Sequence, residues 1–234
     1  MFLGNTLTVP NIVNLPGQSG GGSAFEYTAI DNSFSMLFDR NGNTKYDLGS
    51  FAQDVLANEP AATISTWYKV NTANNQVLVD FYDATPRSRF AIQVYLNSGI
   101  YVYLNDRSYN IPNVTTGGDW HHVAAVFDGS GATNADRLKI YLDGSNITGG
   151  AYSGTIPTAL GAFAVSPSSL IGDSVAFTAN FDGYIDEMAI WGGIALSEET
   201  IKAIYDTTEN NPGKVADLSQ TPEGEPSAWY RMGD

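Results

Sequence analysis

Cysteine is absent from this chain of 234 residues. Disulfides, thiolate metal sites and cysteine nucleophiles are therefore excluded together. Cations are scarce: 11 Lys and Arg stand against 25 Asp and Glu, for a formal net charge of −14. Phosphate neutralisation needs clustered cations, so nucleic acid is not an expected partner, and neither is an anionic membrane surface. Such acidity keeps a protein soluble, and it also suits a surface that holds hard cations such as calcium. With two His in the whole chain, few acid–base or nucleophilic designs are open. No G-x-S-x-G, no H-E-x-x-H and no phosphate-binding glycine loop occurs. No apolar run approaches the ~18 residues of a membrane span, so no membrane insertion is expected. The opening stretch MFLGNTLTVPNIVNLPG lacks a basic segment followed by a compact apolar one. It does not read as a secretory signal, and export would then need lysis, a dedicated exporter or assembly into a particle.

What is present is short alternation. The length suits one large all-β domain as well as two small ones, and is enough to bury a sizeable core without covalent staples. ATISTWYKV places Ile64, Tyr68 and Val70 on one face and Thr63, Trp67 and Lys69 on the other. QVLVDFYD groups Val77, Val79 and Phe81, and RFAIQVYL groups Phe90, Ile92, Val94 and Leu96. GIYVYLND groups Ile100, Val102 and Leu104, with Tyr101 and Tyr103 opposite. WHHVAAVFD and RLKIYLDG follow, the second grouping Leu138, Ile140 and Leu142. Runs of this kind, separated by Gly, Asn, Asp and Pro, read as an antiparallel sandwich or barrel, and large residues on both faces of several strands suggest two stacked sheets. Asp143-Gly144 is a two-residue hairpin signal, because a turn matching strand twist needs positive φ.

One helix is predicted. Ser197 is a good N-cap, Glu198 and Glu199 sit where the helix dipole favours acids, and Leu196, Ile201, Ile204 and Tyr205 recur on one side. It follows the strand YIDEMAIW and is placed to plug one end of the sandwich. Residues 1–24 read as an extended arm with a Gly20–Gly22 joint; Pro10 and Pro16 keep it from being a central strand. Val9, Ile12, Val13 and Leu15 are its candidate contact residues. Residues 25–207 form the domain, and 208–234, with three prolines in NNPGKVADLSQTPEGEP, read as a tail.

Four segments in order carry a family resemblance: SFSMLFDRNGNTKYDLGS, ATISTWYKV, DWHHVAAVFDGSG with LKIYLDGSNI, and FDGYIDEMAIWGGIALSEETIKAIYD. They cover roughly residues 33–206 and resemble the concanavalin A-like lectin/glucanase superfamily, in its LamG-like, pentraxin-related jelly-roll branch. The resemblance implies an all-β jelly-roll sandwich with one short helix near the end of its core. One departure is Arg40, where the family commonly has Gly.

Asp186 stands among apolar neighbours on the closing strand. If Ile185, Glu187 and Ala189 share one face, Tyr184, Asp186, Met188 and Ile190 share the other. A buried, unpaired Asp is costly, so either loop N–H groups or a cation must satisfy it. In related glucanase sandwiches the equivalent Asp helps hold calcium; the resemblance implies a structural Ca²⁺ near Asp186, with Asp39 and Asn43 as further ligands. His121 and His122 are adjacent in a strand, point to opposite faces and cannot chelate one ion together. Trp120, just before that strand, is expected at the core edge. The glucanase members carry an E-x-D-x-x-E-like strand that is missing here, so catalysis is not expected and a glycoside hydrolase is the weakest reading. The fold's usual business is holding sugars or protein partners, and Tyr95, Tyr101 and Tyr103 are the candidate sugar-stacking residues. The terminal segments, TPEGEPSAWYRMGD especially, resemble LamG-like domains of tailed-phage structural proteins. The expected setting is a virion surface, as a head decoration, fibre module or tail adhesin contacting other virion proteins, copies of itself or a cell-surface glycan. Exchange of an edge strand or arm would join copies. The alternative is a secreted bacterial carbohydrate-binding lectin.

Overall fold

Alternating apolar residues become strands that pair in two seven-stranded antiparallel sheets, with one further two-stranded pair. The computed structural model describes residues 25–72, 75–85, 87–95, 99–114, 118–177 and 179–232. The proposed arm contacts Val9, Ile12, Val13 and Leu15, and Leu96, lie outside these residues. In chain order the strands are β1 (Ala29–Asp31), β2 (Met36–Phe38), β3 (Tyr46–Asp47), β4 (Ala61–Val70), β5 (Asn75–Ala84), β6 (Arg87–Tyr95), β7 (Gly99–Leu104), β8 (Arg107–Pro112), β9 (His121–Asp128), β10 (Leu138–Leu142), β11 (Ser145–Ile147), β12 (Ala151–Tyr152), β13 (Ser168–Ile171), β14 (Gly183–Gly192), β15 (Lys214–Ala216) and β16 (Ala228–Tyr230). The α-helices are α1 (Asn134–Arg137) and α2 (Glu198–Glu209); Ala52–Leu56 forms a π-helical turn and Leu218–Gln220 a 3-10 turn.

The first sheet runs β11-β10-β9-β4-β14, with β2 and β16 sharing the far edge of β14. The second runs β12-β8-β7-β6-β5-β13-β3. The core lies between them. Ile64, Tyr68 and Val70 of β4 meet Phe90, Ile92 and Val94 of β6 and Ile100, Val102 and Leu104 of β7 in one buried cluster. This is the two-sheet sandwich suggested by the alternation, and the jelly roll implied by the resemblance. Asp143 and Gly144 both adopt positive φ, +49° and +71°, and close the β10–β11 hairpin. Gly172 has φ +78°, and a Cβ there would lie 2.2 Å from the buried Phe38 ring. Arg40 donates to the carbonyls of Asn75 and Asn180 and so ties two loops together.

A third layer covers the outer side of the first sheet. Ser197 caps α2 through Thr200 N at 3.2 Å. Ile201 and Ile204 pack with Leu196, Trp191, Ala124 and Val126 in a second buried cluster. The helix therefore lies across the face of the sheet rather than plugging an end. Each sheet face can bury one apolar stripe, and α2 presents one. Residues 208–232 pack back on the sandwich. β15 pairs with β1, β16 pairs with β14, and Trp191 Nε1 donates to the Gly224 carbonyl at 3.0 Å.

Two bulges break the alternation. Between Val77 and Val79 the β5–β6 register shifts, so Leu78 joins Val79 and Phe81 in the core and Val77 does not. Between Asp186 and Ala189 the β4–β14 register shifts, and Glu187 takes φ +50°. Ile185, Met188 and Ile190 thus face the core together. Asp186 and Glu187 both turn toward the helical layer, which corrects the simple two-face split of this strand.

Candidate functional site

The outer face of the second sheet gathers the three tyrosines. Tyr95 ends β6, and Tyr101 and Tyr103 alternate on β7 with core-facing Ile100 and Val102. The Tyr95 and Tyr101 rings lie 4.5 Å apart, and Tyr101 and Tyr103 stack at 6.5 Å with 17° between planes. Phe177 extends the row, 5.1 Å from Tyr103. Burial raises the pKa of Tyr95, and pushes that of Tyr103 up to about 12, so both are neutral hydroxyl donors at ordinary pH.

Polar groups frame these rings. Register places Gln93 of β6 and Asn110 of β8 on either side of Tyr101. Gln93 is fully buried; its Oε1 accepts from the Tyr95 hydroxyl at 3.3 Å. Its Nε2 and the Oδ1 of Asn110 have no hydrogen-bond partner among the described residues. At the other end of the row, Arg89 makes two 2.8 Å hydrogen bonds to the Asp80 carboxylate. Its guanidinium sits 3.8 Å from the Phe177 ring centre and 4.9 Å from that of Tyr103. Burial raises the pKa of Asp80 while Arg89 pulls it back down. Ser174 also donates to Asp80, which clamps the loop carrying Phe177 onto the sheet. A pocket of about 320 Å³ opens here, lined by Arg87, Arg89, Tyr103 and Phe177 among others. The tyrosines were visible in sequence as the non-core half of an alternating strand. Arg89 and Gln93 carry the same signal in RFAIQVYL; Phe177 sits on a loop and carries none.

The proposed calcium residues are not brought together. Phe38 pairs with Gly183 and Met36 with Ile185. Asp39 therefore lies beyond the Gly183 end of the pairing, while Asp186 lies past Ile185. Asp39 Oδ1 accepts from Asn41 N at 2.9 Å, and Asn43 Oδ1 accepts from Asn180 at 2.5 Å. Asp186 Oδ2 accepts from Asn32 Nδ2 at 2.9 Å and its Oδ1 from Glu187 N at 2.8 Å. No group of three His, Cys, Asp or Glu with metal-binding geometry occurs among the described residues.

Glu187 was not singled out by the sequence. It is 4% exposed and accepts from Trp229 Nε1 at 2.6 Å and Arg231 Nε at 3.4 Å. Burial, then the neighbouring Asp186, pushes its pKa up to about 7. The two His do face opposite ways. His122 is buried beside Ser65, 2.7 Å away, and against Trp67, and burial lowers its pKa to about 4. His121 Nδ1 contacts Asp143 at 2.9 Å, and that hydrogen bond raises its pKa.

A family model, Laminin_G_3, described as concanavalin A-like lectin/glucanases superfamily, matches residues 40–202. The chain belongs to this family. No curated protein sequence matches it. Among solved structures, the CBM40 of a Ruminococcus gnavus IT-sialidase bound to α2,3-sialyllactose superposes with TM-score 0.56 at 20% identity, over 79% of this chain and 100% of that one. A leech intramolecular trans-sialidase, complexed with 2,7-anhydro-Neu5Ac, gives 0.57 at 19% identity, over 77% of this chain and 28% of that one. NanB sialidase of Streptococcus pneumoniae gives 0.54 at 15%, over 81% and 29%. This Laminin_G_3 chain thus matches a small part of each sialidase, and identities this low establish the shared sandwich alone. No helix among its described residues is long and apolar enough to cross a membrane.

Proposed function

We propose that this Laminin_G_3 chain is a non-catalytic, lectin-like module that binds glycan on the tyrosine face of its second sheet. The observation that carries the reading is the row Tyr95, Tyr101 and Tyr103, with the amides of buried Gln93 and half-buried Asn110 each holding an atom without a hydrogen-bond partner among the described residues, beside Tyr101. Flat rings cover the apolar C–H face of a sugar, and planar amides read its hydroxyls. Leaving a buried donor or acceptor unpaired costs about 1–3 kcal/mol, which a bound hydroxyl would offset.

Against catalysis stands the state of the acids. Asp80 is locked to Arg89. Glu187 has the raised pKa of a general acid, yet Trp229 and Arg231 cover its carboxylate and the space beside it is about 10 Å³. That volume admits no sugar ring. The expected setting is a virion surface, and a secreted carbohydrate-binding module would use the same face.

A broad glycan array, run with and without calcium, tests binding. Retention of at least one glycan class, weakened about tenfold or more by Tyr101→Ala, is the expected outcome. Silence across the panel would leave only an architectural role. Mass spectrometry of purified particles tests the virion setting.

A further inference from the structure

The first sheet has its own recess on its outer side, which sugar binding at the tyrosines does not use. It is a cleft of about 480 Å³ between the sheet, the loop after β1 and the end of α2. We propose that this cleft is a sugar subsite in its own right, taking a neutral, hydroxyl-rich saccharide unit. The proposal stands without the tyrosine site.

Its walls are aromatic. Trp67 comes from β4, Trp120 from the turn before β9 and Phe34 from the loop between β1 and β2. Trp120 is 39% exposed and Phe34 62%, so Trp120 stands at the mouth of the cleft and not at the core edge expected from sequence. Single exposed apolar side chains need no explanation, but several around one concave surface do. Trp67 is stacked on Tyr205 at 5.7 Å and so is held rigidly. Rigid aromatic walls lose little entropy on binding.

Among its polar lining residues, one amide is fixed in place. Asn32 donates through Nδ2 to Asp186 at 2.9 Å, which sets the plane of its amide. The other end, Oδ1, is buried and has no hydrogen-bond partner among the described residues. An acceptor held in place beside aromatic rings suits a sugar hydroxyl. The charge balance argues against an anion: Asp186 and Glu209 line the cleft, and its one lysine, Lys214, is 3.5 Å from Asp31. Asp186 follows core-facing Ile185 and so points outward just ahead of the bulge, opposite Trp67, where it anchors Asn32 in the wall.

Two sugar subsites on opposite faces would let one module bridge two glycan chains, and avidity would then exceed either single affinity. The test is a titration with glucose, galactose, N-acetylglucosamine and N-acetylneuraminic acid at millimolar concentrations, read from the indole N–H signals of the four tryptophans in a ¹⁵N-labelled protein. The first three sugars are neutral and the fourth is an anion. At least one neutral sugar is expected to move the Trp67 and Trp120 signals, leaving those of Trp191 and Trp229 in place. Tyr101→Ala should change this response less than twofold. Trp120→Ala should weaken it at least fivefold, and Trp120→Phe should restore most of it. Each variant's near-ultraviolet circular dichroism and thermal midpoint serve as the check on folding. The proposal falls if no neutral sugar moves the two signals, or if Tyr101→Ala abolishes the response. It falls also if Trp120→Ala changes only the sedimentation behaviour, because the cleft would then be a contact between copies. Binding that survives Trp120→Ala but is lost in Tyr101→Ala would sink this subsite alone; the reverse would sink the tyrosine site alone.

Discussion

Replacing Glu187 by Gln removes one proton-binding group at the bulge and leaves the side chain's shape almost intact. The carboxyl sits 4% exposed beside Asp186, and its pKa is pushed from 4.5 up to about 7. A carboxyl raised in this way binds its proton more tightly folded than unfolded. The folded state is therefore favoured by protonation: the native protein loses stability as pH rises from 4.5 through about 7, and levels off above. The gap between those two values corresponds to roughly 3 kcal/mol. Gln cannot ionise, so its variant should lack this pH dependence. Loss of the Arg231 contact and the altered hydrogen bond to Trp229 add an offset that does not vary across this pH range. The measurement is urea denaturation followed by tryptophan fluorescence at half-unit steps from pH 4.5 to 8.5. The difference in unfolding free energy, variant minus native, should climb by about 2–3 kcal/mol toward alkaline pH. Parallel profiles would refute the claim that Glu187 is buried against an acidic neighbour.

His122 gives the opposite slope: buried with its pKa lowered to about 4, it stabilises above 6.5 and that contribution is lost as pH falls through 4, whereas His122→Gln should be insensitive in this window. Acid denaturation of the two proteins checks it. Gly172→Ala combines a left-handed backbone with a clash against Phe38 and should cost several kcal/mol, read as a fall in the urea midpoint. Phe38→Ala, fully buried, should cost about 3–5 kcal/mol by the same assay. Removing residues 222–234 takes away β16, the Trp191 acceptor and both donors to Glu187. The thermal midpoint should drop by well over 5 °C, an outcome a free tail would not give.

Most of the sandwich is legible in the residues because side-chain period is a local property. Ile64, Tyr68, Val70 and Ile100, Val102, Leu104 lie on the faces that alternation assigns them. Val77 and Asp186 do not, because a bulge inserts one residue wherever the neighbouring strand demands it, and that demand comes from another part of the chain. The same limit hides the tail: Lys214–Ala216 and Ala228–Tyr230 are too short to read as strands until β1 and β14 are beside them. Of the candidate sites, the tyrosine row is readable as the non-core half of β7. The clamp of Arg89, Asp80 and Phe177 joins residues nearly a hundred positions apart, and no local pattern encodes it. Asp186 reads as an acid needing a partner; that the partners are Asn32 and a backbone N–H is a matter of tertiary placement.

The outermost strands have a bearing on how densely such modules can be crowded. At one end stand β11 with three residues and β12 with two; at the other, β3 has two, and the last position of the first sheet is split between β2 and β16, three residues each. None offers a long straight row of free amides on which a neighbour's chain could zip up. Copies held shoulder to shoulder would therefore meet through side chains and loops, and could be arrayed at high local concentration without fusing into fibres.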